Sequence, residues 1–410
     1  MSNYKNDDTI EYNKNVPRYD QGQIRKGGTM TTLRQEREQL YFDLWEGKRP
    51  KRVPIEIMAN LTYAIEYMGY SLKRELYSAE KCVEAAEKMA ELIDSDNLPT
   101  IPNNESAVFR YTKAQFMVPG NDGFFQHPNI SPLTQEEYPE FSKNPLDFIV
   151  KKIQPRVFGI LEDDPEFGHV RINIARQVVA NQFAGQVPRL MEKYQRSGAV
   201  SVGLLIWAPF DFLADYIRSF SNVLLDIRKK PEWVLEACEA ILEYELKQVE
   251  MLPKPFPGTV PTILLPLHMA PFMKPSDFEK FYWPTFQRLI EGIQERGYQA
   301  NMYCEENWTP HLEALNDLPG RCQIAFETSD PKKIAAVVSK KHIFANGYPT
   351  ELLKTGTKEQ CIDKAKELLD ILAPGENYIF AITKPFLRKN DTNMDNVQAL
   401  VEFVKEYGKY

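Results

Sequence analysis

From Val53 to the C-terminus, oily runs of six or seven residues alternate with amphipathic segments of helix length. That alternation is what parallel strands joined by crossover helices require, and it restricts the chain more than any single motif. The runs are "VPIEIMA" (53–59), "AVFRYT" (107–112), "SVGLLIW" (201–207), "TILLPLH" (262–268), "QANMYCE" (299–305), "CQIAFET" (322–328), "HIFANGY" (342–348) and "NYIFAIT" (377–383). Eight strand and helix units in one chain predict an α/β fold of the TIM (β/α)8 barrel type rather than an open sheet. The interval 113–200 is longer than one crossover needs. It is expected to hold inserted helices, such as "PLDFIVKKIQPRVFGIL" and "INIARQVVANQFAG", over the barrel mouth.

Thr32 and Gln35 form a capping box for a helix through "LRQEREQLYFDLWE", which Gly47 and Pro50 stop. Residues 1–30 are polar and without period and read as an N-terminal arm, so a single barrel domain spans 31–410. The composition is that of a globular protein with ample core, 43% apolar and 26% charged. A net charge of -7 leaves no basic stripe for nucleic acid. The longest oily run, "VSVGLLIWAPF", is too short for a bilayer span, and the first residues lack the apolar core of a signal peptide, so a cytoplasmic location is expected. Five cysteines without a Cys-x-x-Cys pair read as reduced thiols.

In such a barrel the chemistry sits at the C-terminal ends of the strands. Three neighbouring runs deliver polar groups there: His268 after the fourth, the cluster "QANMYCEENWTPHLE" (299–313) at the fifth, and Glu327 at the sixth. Strand alternation sends Glu305 and Glu306 to opposite sides, and Glu306 is preferred as the pocket residue because it shares the parity of Cys304. Glu327 follows an apolar strand and needs a partner or a metal if buried. Asn346 and Tyr348 end the seventh run, and Lys384 and Arg388 follow the eighth as candidate anchors for a substrate. Each has a structural reading beside the functional one. His268 can be a hydrogen-bonded scaffold residue, Cys304 a small buried hydrophobe, and Lys384, Arg388 and Lys389 a solvated loop.

The segments "HMAPFMKPSDFEKFYWPTFQRLIEGIQERG", "FANGYPTELLKTGTKEQCIDKAKELLD" and "NMDNVQALVEFVKEYGKY" resemble the uroporphyrinogen decarboxylase superfamily, from about residue 260 to the end. The resemblance implies a TIM barrel and one of two activities, tetrapyrrole decarboxylation or methyl transfer to or from the cobalt of a corrinoid protein. The decarboxylase places an arginine-rich motif after the first strand, whereas "MANLTYAIEYMGYSLKRE" has no arginine before Arg74. The methyltransferase branch is therefore the better match. Its usual zinc pattern is His-x-Cys plus a later Cys, and of that pattern this chain has Cys304 alone.

The expectation is a corrinoid-dependent methyltransferase that takes a methyl group from a small, for example methoxylated, donor. Its zinc ion would be rebuilt from His268, Cys304, Glu306 and Glu327, acting as a Lewis acid on the departing oxygen. The metal-free version uses Glu306 as proton donor, its pKa raised near Glu327. The alternatives are a decarboxylase anchoring its substrate on Lys384 or Arg388, and a barrel that binds without catalysis. A corrinoid cannot enter a narrow barrel, so cobalamin would arrive on a partner protein docked at the rim, with regions 1–30 and 113–200 flanking that surface or building a homodimer.

Overall fold

A computed structural model describes residues 32–255 and 257–410. The polar arm read over 1–30 lies outside them. The first helix, Leu33–Trp45, starts where the sequence places it, with both hydrogen bonds of the Thr32–Gln35 capping box present. Tyr41 and Leu44 pack against Ala199, Ala325, Ile343, Ala345 and Ile379. The helix thereby plugs the floor of a barrel.

The strands are β1 (Ile55–Glu56), a short hairpin of β2 (Val118–Pro119) and β3 (Phe125–Gln126), then β4 (Val200–Leu205), β5 (Val260–Leu267), β6 (Gln299–Cys304), β7 (Gln323–Phe326), β8 (Ile343–Asn346) and β9 (Tyr378–Ala381). Seven of them form one parallel sheet in the order β1-β9-β8-β7-β6-β5-β4. Helices alternate with the later strands, and the fold is the TIM barrel type. Among the described residues no helix is long and apolar enough to cross a membrane.

One expected strand is not a strand. Residues "AVFRYT" belong to a helix, Glu105–Tyr111, started by the side chain of Asn104 on the Ala107 N–H. A short apolar run cannot by itself separate a helix turn from a strand. The place between β1 and β4 is taken instead by the polar segment 94–100, "DSDNLPT". Its Asp96 N–H donates to the Ile55 carbonyl, Pro99 accepts from the Ala59 N–H, and the Ser197 N–H donates to the Asp96 carbonyl. Those bonds reach β1 on one side and the approach to β4 on the other, so the sheet closes through a segment with no strand signature.

The closing segment is held by charge. The buried Asp96 carboxylate accepts both Arg52 guanidinium nitrogens at 2.7 and 2.6 Å and the Ile55 N–H at 2.8 Å, with Arg37 of the plug helix 3.3 Å away. Asp94 takes Arg37 at 2.6 Å and Arg196 at 2.5 Å, and pairs with Lys405 of the last helix. Burial alone would raise the Asp94 carboxyl; Lys405, Arg37 and Arg196 hold it well below the usual carboxylate range. The inserted region carries the hairpin and several helices, among them Gly168–Phe183 and Gln186–Lys193. Replacing Asp96 by Ala strands Arg52 without its carboxylate. A loss of about 3–5 kcal/mol is expected, read as a fall in the urea midpoint, and a loss below about 1 kcal/mol would show that the carboxylate does not hold the closure.

Candidate active site

Register determines which side chains meet. Pro266 of β5 pairs with Tyr303 of β6, Tyr303 with Ala325 of β7, and Ala325 with Ala345 of β8. Ala325, Ala345 and Tyr303 belong to the cluster around the plug, so this layer faces the lumen. Alternation carries the same face two residues onward, to His268, Glu305 and Glu327. The ladder persists far enough for this to hold. The Glu305 N–H donates to the Leu267 carbonyl and the Glu327 N–H to the Cys304 carbonyl, both at 3.1 Å.

At that layer His268 Nδ1 lies 2.5 Å from Asp215 Oδ2 and Nε2 lies 2.9 Å from Glu305 Oε1. Burial disfavours the charged ring, but the two carboxylates outweigh it and raise its pKa to about 11. That pKa makes His268 an imidazolium at neutral pH, with each of its two N–H groups donating to a carboxylate. Asp215 comes from the helical segment after β4, one turn beyond Asp211. The buried Asp211 accepts the Met269 N–H at 2.8 Å and the Tyr282 hydroxyl at 2.6 Å, fixing the backbone next to His268. Burial first, and then the Asp215 charge, push its carboxyl up to about 7.

Glu327 is the partnered carboxylate that its position demanded. It accepts the Glu306 N–H at 2.9 Å and pairs with Lys384, whose pKa that bond raises. Beside the cluster stands an aromatic face: Tyr216, partly exposed, is stacked on Phe212 at 5.2 Å between ring centroids and lies 4.8 Å from Trp207 at the end of β4.

Several expected members stand elsewhere. Cys304 has the opposite parity to Tyr303 and is fully buried among apolar side chains. Burial, and secondarily Asp211, push its thiol well up. The carboxylate beside His268 is Glu305 and not the preferred Glu306, because lumen parity runs through Tyr303 and Glu305. Glu306 has a positive φ of 55°, which turns the chain out of the ladder and leaves its side chain exposed. Asn346 also has positive φ, 69°, and its amide donates to the Thr383 carbonyl. Tyr348 is buried, with its hydroxyl donating to the Cys361 carbonyl. Arg388 is engaged by Glu66 and Asp122. Of the expected residues, His268, Glu327 and Lys384 lie at this rim. Glu305 was weighed but not preferred, and Asp211 and Asp215 were not anticipated, although two aspartates four apart in "DFLAD" shortly after an oily strand carry a readable signal.

The proposed zinc set does not assemble. Cys304 and Glu306 point away from His268, and both nitrogens of His268 are taken by carboxylates, whereas a ligating imidazole is neutral with a free lone pair. Among the described residues no three His, Cys, Asp or Glu side chains are grouped to hold a metal ion.

A raised folded pKa means that the Asp215–His268–Glu305 interaction stabilises fully below pH about 6.5, the unfolded value, and is lost as pH rises toward about 11. In imidazole nitrogen NMR His268 is expected to remain doubly protonated at pH 8, and Glu305→Gln is expected to bring its titration down. Titration of the wild-type ring near pH 6.5 would refute the arrangement.

The sequence profile of the family described as uroporphyrinogen decarboxylase (URO-D) matches residues 181–407, which is more than half of the chain. No curated protein matches the chain in sequence. Among solved structures, a methyltransferase from Methanosarcina mazei is similar in fold, with a TM-score of 0.59 at 16% identity, over 92% of this chain and 99% of that one. The barrel, the order of its strands and the extent of the profile match lead to one conclusion: the chain belongs to the uroporphyrinogen decarboxylase (URO-D) family.

Proposed function

We propose that this chain is a corrinoid-dependent methyltransferase that moves a methyl group from a small methoxylated donor to the cobalt of a partner corrinoid protein. The observation that carries the reading is the protonated His268 held between Asp215 and Glu305 at the strand-end rim. A methyl ether resists displacement because its oxygen leaves as an anion, so the enzyme has to supply a proton as the bond breaks. In this reading the methyl carbon forms its new bond with the electron pair of the acceptor's reduced cobalt. The C–O pair stays on oxygen, and oxygen takes the Nε2 proton of His268, replacing Glu305 as its hydrogen-bond acceptor. A phenol titrates near 10, so an aryl oxide is close to matched with a donor near 11. Asp215 and Asp211 hold the ring and the adjoining backbone, Glu305 receives the next proton from solvent, and the Trp207–Tyr216 face seats the body of the donor.

Zinc has no part in this mechanism, since the residues present do not form its site. The decarboxylase reading relies on Lys384 or Arg388 as the anchor, yet Lys384 is committed to Glu327 and Arg388 to Glu66 and Asp122, and Asp215 and Glu305 add negative charge to the rim. A substrate with many carboxylates would be repelled there. The similarity in fold to a methyltransferase fits the methyl-transfer reading without selecting its donor.

The test is methyl transfer from methoxylated aromatic and aliphatic donors to reduced cobalamin, free and protein-borne. His268→Gln and Glu305→Gln are each expected to lower kcat by about 10²–10⁴-fold, while Cys304→Ser changes it little. Full activity in both rim variants would remove the site from the reaction. Carbon dioxide release from carboxylated compounds, with no methylcobalamin formed, would transfer the chain to the decarboxylase branch.

A further inference from the structure

The opposite end of the barrel holds a cavity of about 610 Å³, where the N-terminal ends of β5 and β6 and the approach to β7 meet the plug helix. Phe42, Trp45, Gln294, Gln299 and Arg321 are among the residues that line it. Its volume falls within the range of small-molecule sites. β5 spans Val260, which lines the cavity, to Leu267, which precedes His268, so the two ends are about 23 Å apart at 3.3 Å per residue. The cavity is thus separate from the rim.

Arg321 is the unusual member. The well-buried arginines have carboxylates: Arg37 and Arg196 lie on Asp94, Arg52 on Asp96, and Arg218 on Asp226. Arg321 is half-buried and makes no ion pair or hydrogen bond within the described structure, and its Nη1 is sealed from solvent without a partner. Desolvation alone acts on it, drawing its pKa below the ordinary value. A guanidinium that has lost part of its hydration and gained no anion is a cost the fold does not need. The remaining polarity of the cavity does not supply the missing charge. Gln294 and Gln299 are neutral amides, and the acid among the lining residues, Glu46, is paired with Lys48. Phe42 and Trp45 contribute flat apolar surface, and the indole N–H of Trp45 likewise has no partner.

We propose that this cavity is a binding site for a small organic carboxylate with a flat apolar body, its anionic end on Arg321 and its body against Phe42 and Trp45. Arg321 lines the cavity, and a planar guanidinium offers N–H donors in the geometry that suits a carboxylate. Occupancy there acts on the plug helix and on the starts of β5 and β6, and stands independently of the reaction at the rim.

Calorimetric titration of the full chain with benzoate tests it, with benzyl alcohol and inorganic phosphate as comparisons. Saturable one-to-one benzoate binding is expected, at least tenfold weaker in Arg321→Gln, unchanged in Lys384→Met, and absent for benzyl alcohol. Loss of binding in Lys384→Met but not in Arg321→Gln would place the anion at the rim and overturn the proposal, as would no binding at all. Phosphate binding as tightly as benzoate would overturn the requirement for an apolar body. Without ligand, Arg321→Gln is expected to melt at the wild-type temperature or above it, since the charge it removes is unpaired. A Tm lowered by several degrees would assign Arg321 a structural role and overturn the proposal.

Discussion

The barrel depends on two carboxylates in a segment that is not a strand. Asp96 accepts Arg52 and the Ile55 N–H and lies beside Arg37, while Asp94 gathers Arg37, Arg196 and Lys405. These partners come from the plug helix, the first strand, the approach to β4 and the final helix, which are remote from one another in sequence. A continuous ladder would ordinarily close the sheet here. The polar segment has few ladder bonds, so ionic bonds supply what the backbone does not, and those of the buried Asp96 are strengthened by low solvent access. The plug, the lumen and the register of the remaining strands all follow from that closure.

Once the sheet is closed, its alternation determines the chemistry. Pro266, Tyr303 and Ala325 occupy one lumen layer, so His268, Glu305 and Glu327 occupy the next. Two carboxylates flank the imidazole, and the proton stays on the ring well above neutral pH. Lys384 performs the complementary task for Glu327, which would otherwise be a buried charge without a counterion. The positive φ at Glu306 marks where the ladder ends, and it puts that residue's N–H, not its carboxylate, onto Glu327.

The two ends of the barrel resolve charge in opposite ways. At the C-terminal rim cations and carboxylates lie within hydrogen-bonding distance, and a substrate has to engage groups that already have partners. At the floor Arg321 has none among the described residues, and the cavity around it is mostly apolar or neutral. That contrast separates a site arranged for proton transfer from one suited to holding an anion.

Periodicity in the sequence by itself determined the architecture: seven of the expected strands, the capped first helix and a strand-end rim bearing His268 and Glu327 were legible because hydrophobic alternation and capping are local properties. Family membership was legible in the C-terminal third for the same reason. Tertiary structure decided the rest. Residues 94–100 have no strand pattern, since their bonds run to distant partners, and "AVFRYT" is as apolar as a strand while forming a helix. Which of Glu305 and Glu306 faces the lumen depended on the parity of Tyr303, which only pairing with Pro266 and Ala325 reveals. Asp215 reaches His268 from a different strand's loop, and a contact across that sequence distance leaves no period to read. Cys304 shows the same limit in reverse: the sequence places it at the rim, and only the pleat decides that it faces the core.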